Sequence, residues 1–101
     1  MARSTLVDRW FALTREEMPA AAAGRGWPVR FDHCFQRILL DHAAGGPWRD
    51  AIAAPAWRHA TEAQLQRAIA LGEAALAGEA DLAALNRQSL AWRGKLRRAG
   101  A

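Results

Sequence analysis

Hydrophobic residues recur at intervals of three and four along much of the chain, which is the spacing of one face of an α-helix. The clearest case is TEAQLQRAIALGEAALAG, residues 61–78, whose apolar stripe contains Leu65, Ile69, Gly72 and Leu76. Thr61 and Gln64 have the spacing of a capping box, and Gly78 follows as a C-terminal glycine. Because Gly72 lies on the apolar stripe, we expect a neighbouring helix to approach closely there.

The N-terminal half predicts three further helices. Ser4 or Thr5 caps a first helix that ends near Leu13. A second, short helix runs through Ala23, and its start is marked by a capping box at Thr14 and Glu17. A third helix begins at Pro28 or Asp32 and contains FDHCFQRILLDH, residues 31–42. Gly45 and Gly46 end this helix.

The third helix has two faces with different predicted roles. Its apolar face contains Phe31, Cys34, Phe35, Ile38, Leu39 and His42, and we interpret it as core, with Cys34 buried and unreactive. Its polar face contains His33, Arg37 and Asp41, and we interpret it as a solvated ladder in which Arg37 pairs with Asp41. Cys34 and His42 are separated by about 12 Å along the helix axis, so they cannot share one metal ion.

The remaining segments complete an all-α prediction. A brief helix is expected from Pro47 to about Ala53, closed by Pro55. A final helix from about Asp81 aligns Leu82, Leu85, Ser89, Trp92 and Leu96 on one face. The sequence therefore predicts a single compact domain of about five short helices covering residues 1–101, with residues 94–101 as a frayed basic tail.

Composition supports this prediction and narrows the class of protein. Alanine dominates the apolar residues while Tyr is absent, which favours helix over sheet. A length of 101 residues fits one domain, and no stretch approaches the roughly 20 apolar residues that span a bilayer. One cysteine cannot form an internal disulfide. We therefore expect a cytoplasmic protein that does not interact with membranes.

Positive charge is concentrated at the C-terminus. Residues 1–81 carry nine Arg against ten acidic residues, whereas residues 82–101 carry five cations and no acid. The chain also has five Trp, three of them followed directly by Arg, as in Trp57-Arg58. Arginine binds phosphate and an exposed indole stacks on unpaired bases. The leading hypothesis is therefore DNA or RNA binding by Arg87, Trp92, Arg93, Lys95, Arg97 and Arg98.

Other interpretations stay open. A protein-interaction module, including a homo-oligomer, would dock through an exposed Trp and Leu patch. A small enzyme or ligand-binding protein would use His33, Cys34 or His59 in a Trp-lined pocket. Residues 14–38 also have a faint helix-turn-helix outline that presents Arg30, His33, Gln36 and Arg37. No common catalytic or cofactor motif occurs, so we predict no catalytic residue, metal or cofactor, and the expectation leans against an enzyme.

Overall fold

A computed structural model describes residues 2–94, which contain helices and no strand. The elements are α1 (Arg3–Ala12), a π-helical segment (Leu13–Glu17), α2 (Met18–Arg25), α3 (Asp32–Ala44), a 3-10 turn (Trp48–Asp50), α4 (Ala56–His59), α5 (Glu62–Leu76) and α6 (Leu82–Trp92). Because α1, the π-helical segment and α2 follow without a break, the described chain forms five helices. The all-α prediction is confirmed.

The predicted break between the first two helices is wrong. Thr14 does not cap a new helix, because its hydroxyl is buried and donates to the carbonyl oxygen of Trp10 at 2.8 Å. Helical structure continues through the π-helical segment, in which backbone hydrogen bonds join residues five positions apart instead of four. Pro19 follows near the start of α2, where its missing N–H falls directly after that irregular turn. The expected cap at Ser4 or Thr5 is also wrong, since α1 begins at Arg3.

The core lies where α5 packs against α3 and α1. Its largest fully buried side chains include Trp10, Leu13, Met18, Phe35, Ile38, Leu39, Leu65 and Leu82. A Cβ atom added at Gly72 would lie 2.7 Å from Cδ2 of Leu13 and 3.0 Å from Cδ1 of Leu39. The predicted close approach at Gly72 is therefore confirmed. The radius of gyration is 13.3 Å, as expected for one compact domain of about 100 residues.

The helix starts in the second half are largely as predicted. Thr61 and Gln64 form both hydrogen bonds of the capping box, at 2.8 and 3.0 Å. Asp81 caps α6 by accepting from the N–H of Ala84 at 3.2 Å. α3 begins at Asp32, which is one of the two predicted starts, and Phe31 occupies the cap position.

The segment between α3 and α5 differs most from expectation. Instead of a helix from Pro47 to Ala53, the chain forms only the short 3-10 turn, and α4 follows Pro55. Arg3 donates to the carbonyl oxygens of Trp57 and Arg58 at 2.9 and 2.8 Å, and these carbonyls lie in α4. A cation at the carbonyl end of a helix is stabilising. The contact fixes α4 against the N-terminus of α1.

Within residues 2–94 no helix is long and apolar enough to cross a bilayer. The predicted frayed tail falls almost entirely on residues 95–101, including Lys95, Arg97 and Arg98, and so lies outside the described residues.

Candidate ligand-binding cleft

An open cleft of about 730 Å³ lies between α1, α3 and the segment that runs from the 3-10 turn into α4. Its aromatic lining consists of Trp10, Phe11, Trp48 and Trp57. Trp10 is buried, whereas Trp57 is 41% exposed and meets Phe11 edge to face, with ring centroids 6.2 Å apart. Leu40, Ala54, Pro55 and Ala56 complete the apolar wall. The size and lining are those of a small-ligand pocket.

Cations dominate the polar lining of this cleft. Arg37 and Arg49 lie along its wall, and Arg93 enters from the end of α6, while His33 and Gln36 supply further polar atoms. None of the lining residues is an Asp or Glu. The guanidinium carbon of Arg49 lies 5.2 Å from the ring centroid of Trp48, within the range of a cation–π contact. The cleft thus joins aromatic surface to positive charge.

Behind the cleft, Asp41 of α3 is fully buried and its carboxylate is fully hydrogen-bonded. Arg93 donates from Nε to Oδ2 at 2.7 Å and from Nη2 to Oδ1 at 2.8 Å. Ser89 Oγ donates to Oδ2 at 2.7 Å, and the backbone N–H of Trp48 donates to Oδ1 at 2.9 Å. Burial by itself raises the pKa of Asp41, but these hydrogen bonds outweigh it and hold the pKa below its ordinary value. The carboxylate is therefore charged at neutral pH.

The expected Arg37–Asp41 pair on a solvated face is wrong. Arg37 donates from Nη1 to Ser89 Oγ and from Nη2 to Asn86 Oδ1, both at 2.7 Å. Asn86, Ser89 and Arg93 lie three and four residues apart, so they project from one face of α6 toward α3. Within α3 alone, Arg37 and Asp41 are each other's obvious partners. The stronger partners come from about 50 residues further along the chain, and no local pattern identifies them.

The residues of the nucleic-acid hypothesis fall on different surfaces. Arg93 lines the cleft, and its guanidinium is engaged by Asp41. Trp92 is 36% exposed, lies outside the cleft lining, and packs on His42 with ring centroids 4.9 Å apart. Arg87 is exposed and also lies outside the cleft. Lys95, Arg97 and Arg98 belong to the segment that is not described.

The residues of the pocket hypothesis are not brought together either. His33 lines the cleft, whereas Cys34 and His59 do not. Cys34 is half-buried, so the expectation of full burial is wrong, and His59 is exposed. Among residues 2–94, no cluster of three or more His, Cys, Asp or Glu side chains is arranged to hold a metal ion.

Two positions of the helix-turn-helix outline are turned toward the protein. Gln36 Nε2 donates to Thr14 Oγ1 at 3.1 Å, and Arg37 is bound by α6. These two side chains are therefore not free to read bases from an exposed helix face, although His33 and Arg30 remain exposed.

The sequence suggested a Trp-lined pocket with His33 as one interpretation, but it did not identify the arginines of the cleft, because the wall is assembled from distant segments. The signal that pointed toward it was the Trp-Arg dipeptide, since Trp48-Arg49 and Trp57 contribute to the lining. Comparison with family models, curated proteins and solved structures gives no match for this chain. The chemistry of the cleft is therefore the basis for a functional interpretation.

Proposed function

We propose that this protein is a small binding module for single-stranded nucleic acid. An unpaired base stacks on Trp57 in the cleft while neighbouring phosphates meet its arginines. Lys95, Arg97 and Arg98 add phosphate contacts beyond the cleft. The protein acts by binding, with no chemical step.

The observation that carries this proposal is the pairing of an exposed indole with guanidinium groups in a cleft whose lining contains no acid. Trp57 is 41% exposed, and Arg37 and Arg49 lie in the same lining. Stacking of a base on an aromatic ring contributes about 1–3 kcal/mol, and arginine donates paired hydrogen bonds to phosphate. A nucleotide presents both a planar ring and an anion.

Single strands fit this cleft better than duplexes. Bases within a duplex already stack on each other, so an indole reaches a base face only where the base is unpaired. A cleft of about 730 Å³ is in the size range that encloses small ligands and is too small for a double helix. We therefore expect one or a few unpaired nucleotides to occupy it.

The C-terminal segment lies close to the cleft in sequence. Arg93 is part of the lining, and Lys95 follows it by two positions. Arg97 and Arg98 follow Arg93 by four and five positions in the sequence. Phosphate contacts from these cations would add counterion release to the binding of a strand.

The test measures fluorescence anisotropy of labelled twelve-nucleotide single strands of DNA and RNA, and of a hairpin duplex, in low and moderate salt. We expect the single strands to bind more tightly than the duplex, with affinity that falls as salt rises. Trp57→Ala should weaken single-strand binding by roughly 5- to 150-fold, the equivalent of one lost stacking contact.

Phe31→Ala is the matched control, because Phe31 is 66% exposed and lies outside the cleft lining. Binding by Phe31→Ala should match that of the wild type. Equal affinities of Trp57→Ala and the wild type for single strands would show that no base stacks on Trp57 in the cleft. No salt-dependent binding of any strand by the wild type would reject nucleic acid as the ligand.

A further inference from the structure

We infer that Arg37 is the phosphate-binding centre of the cleft, where its guanidinium receives the phosphate group of a bound nucleotide. The nucleotide as ligand rests on the proposed function. The need for an anion at this position rests on the charges and hydrogen bonds around Arg37, which are independent of the identity of the ligand.

Arg37 differs from Arg9 and Arg93, whose partners are carboxylates, in the charge of the groups it binds. Within residues 2–94, arginine forms ion pairs through Arg9, with Glu17 and Glu73, and through Arg93, with Asp41. The partners of Arg37 are the hydroxyl of Ser89 and the side-chain carbonyl of Asn86, which are neutral. Within the described residues Arg37 thus forms hydrogen bonds to neutral groups and no ion pair.

The carboxylate nearest to this network is already neutralised. Ser89 accepts from Arg37 and donates to Asp41, so it separates the two charged groups. Both oxygens of Asp41 are bound by Arg93, and the charge of Asp50 also acts on Arg93. Arg37 itself donates to no carboxylate of this network, so an anion in the cleft would give it a direct charge partner.

Arg37 is also held in one orientation. It is half-buried, and its acceptors Ser89 and Asn86 are 0% and 8% exposed. A guanidinium has five N–H donors, of which two are engaged here, so three can donate to a ligand or to water. A cation that is partly removed from water and already ordered binds an anion at a small entropic cost. Phosphate oxygens match its planar fork.

The test compares adenosine monophosphate with adenosine, using intrinsic tryptophan fluorescence and NMR of the full chain. The phosphate should make the nucleotide bind at least about tenfold more tightly than the nucleoside, as expected for hydrogen bonds to a charged group. Arg37→Lys keeps the charge and loses the planar fork, so it should remove most of that preference. Inorganic phosphate should compete with adenosine monophosphate.

Ile69→Val is the control for stability, because Ile69 is buried and lies outside the cleft lining. It should keep the preference for the phosphate within about twofold, although it lowers stability modestly. An unchanged preference in Arg37→Lys would overturn the inference. If Arg37→Lys does not fold, the Nε–H signal of Arg37 in the wild type should shift when adenosine monophosphate is added, and an unmoved signal would overturn the inference.

The two proposals fail in distinguishable ways. If labelled single strands bind and Arg37→Lys binds them and adenosine monophosphate as well as the wild type does, the inference about Arg37 is wrong and nucleic-acid binding stands. If adenosine monophosphate binds through Arg37 and no strand binds, the phosphate site stands and the ligand is a free nucleotide.

Discussion

Arg93 binds both carboxylate oxygens of Asp41, with Nε 2.7 Å from Oδ2 and Nη2 2.8 Å from Oδ1. Asp41 is fully buried, whereas the side chain of Arg93 is 24% exposed and lines the cleft. The pair joins the C-terminal end of α6 to α3 and closes the cleft on that side. The positive charge at the C-terminus led us to predict phosphate binding by Arg93. The structure shows that Arg93 neutralises a buried carboxylate.

Replacing Arg93 with Ala should lower the free energy of unfolding by about 3–5 kcal/mol, because it leaves the Asp41 carboxylate buried without its counter-charge. Urea denaturation measures this loss. Arg87→Ala on the exposed surface of the same helix is the control and should change stability by no more than about 0.5 kcal/mol. Similar small losses in both variants would show that the Asp41–Arg93 pair does not stabilise the fold.

The same carboxylate predicts a pH dependence. Burial raises the pKa of Asp41, but the hydrogen bonds from Arg93, Ser89 and Trp48 together lower it by more, so its folded pKa lies below that of the unfolded chain. Its contribution is therefore complete above the unfolded value of about 3.9 and is lost as pH falls through the folded pKa. The stability advantage of the wild type over Asp41→Asn should shrink as pH falls below the unfolded pKa and through the lower folded pKa. An advantage that does not change with pH would contradict this.

Two glycine substitutions should have opposite effects. Gly72→Ala forces Leu13 or Leu39 to move, and the overpacking cost of about 1–3 kcal/mol exceeds the gain in helix propensity of about 1 kcal/mol. Gly24→Ala in α2 meets nothing within 4 Å and should stabilise by about 0.5–1 kcal/mol. Thermal unfolding compares them. Stabilisation by both would show that the approach at Gly72 is loose.

Local signals explain how much of the fold could be predicted. The capping box at Thr61 and Gln64, the helix start near Asp81 and the close approach at Gly72 were each predicted from residues close in sequence, and each is confirmed. The helix start predicted at Thr14 also rested on a local signal, and it is wrong. Its spacing to Glu17 satisfies the capping pattern, but packing in the core keeps the chain helical through that point.

The chemistry of the cleft could not be predicted because it depends on contacts between distant segments. Arg37 and Arg93 have ordinary sequence surroundings, and only the packing of α3 on α6 separates their roles. Arg93 becomes the partner of a buried carboxylate, while Arg37 has neutral partners. Periodicity identifies which face of a helix is polar and does not identify what that face will meet.

The C-terminal cations can be tested without disturbing the Asp41–Arg93 pair. Changing Lys95, Arg97 and Arg98 to Gln together should make the dependence of log affinity on log salt shallower by up to about 2 for single strands, since each phosphate contact contributes roughly 0.7. The unfolding free energy should remain near that of the wild type. An unchanged slope would assign the phosphate contacts to the cleft alone.

The five tryptophans provide a direct measurement of where a strand binds. Each indole gives one N–H signal in an NMR spectrum of the labelled protein, and a single-stranded oligonucleotide is titrated into the sample. Binding in the cleft should shift the signals of Trp48 and Trp57, while that of Trp27, which packs on Phe35 away from the cleft lining, stays in place. Shifts confined to Trp92, or no shift at any indole, would contradict binding in the cleft.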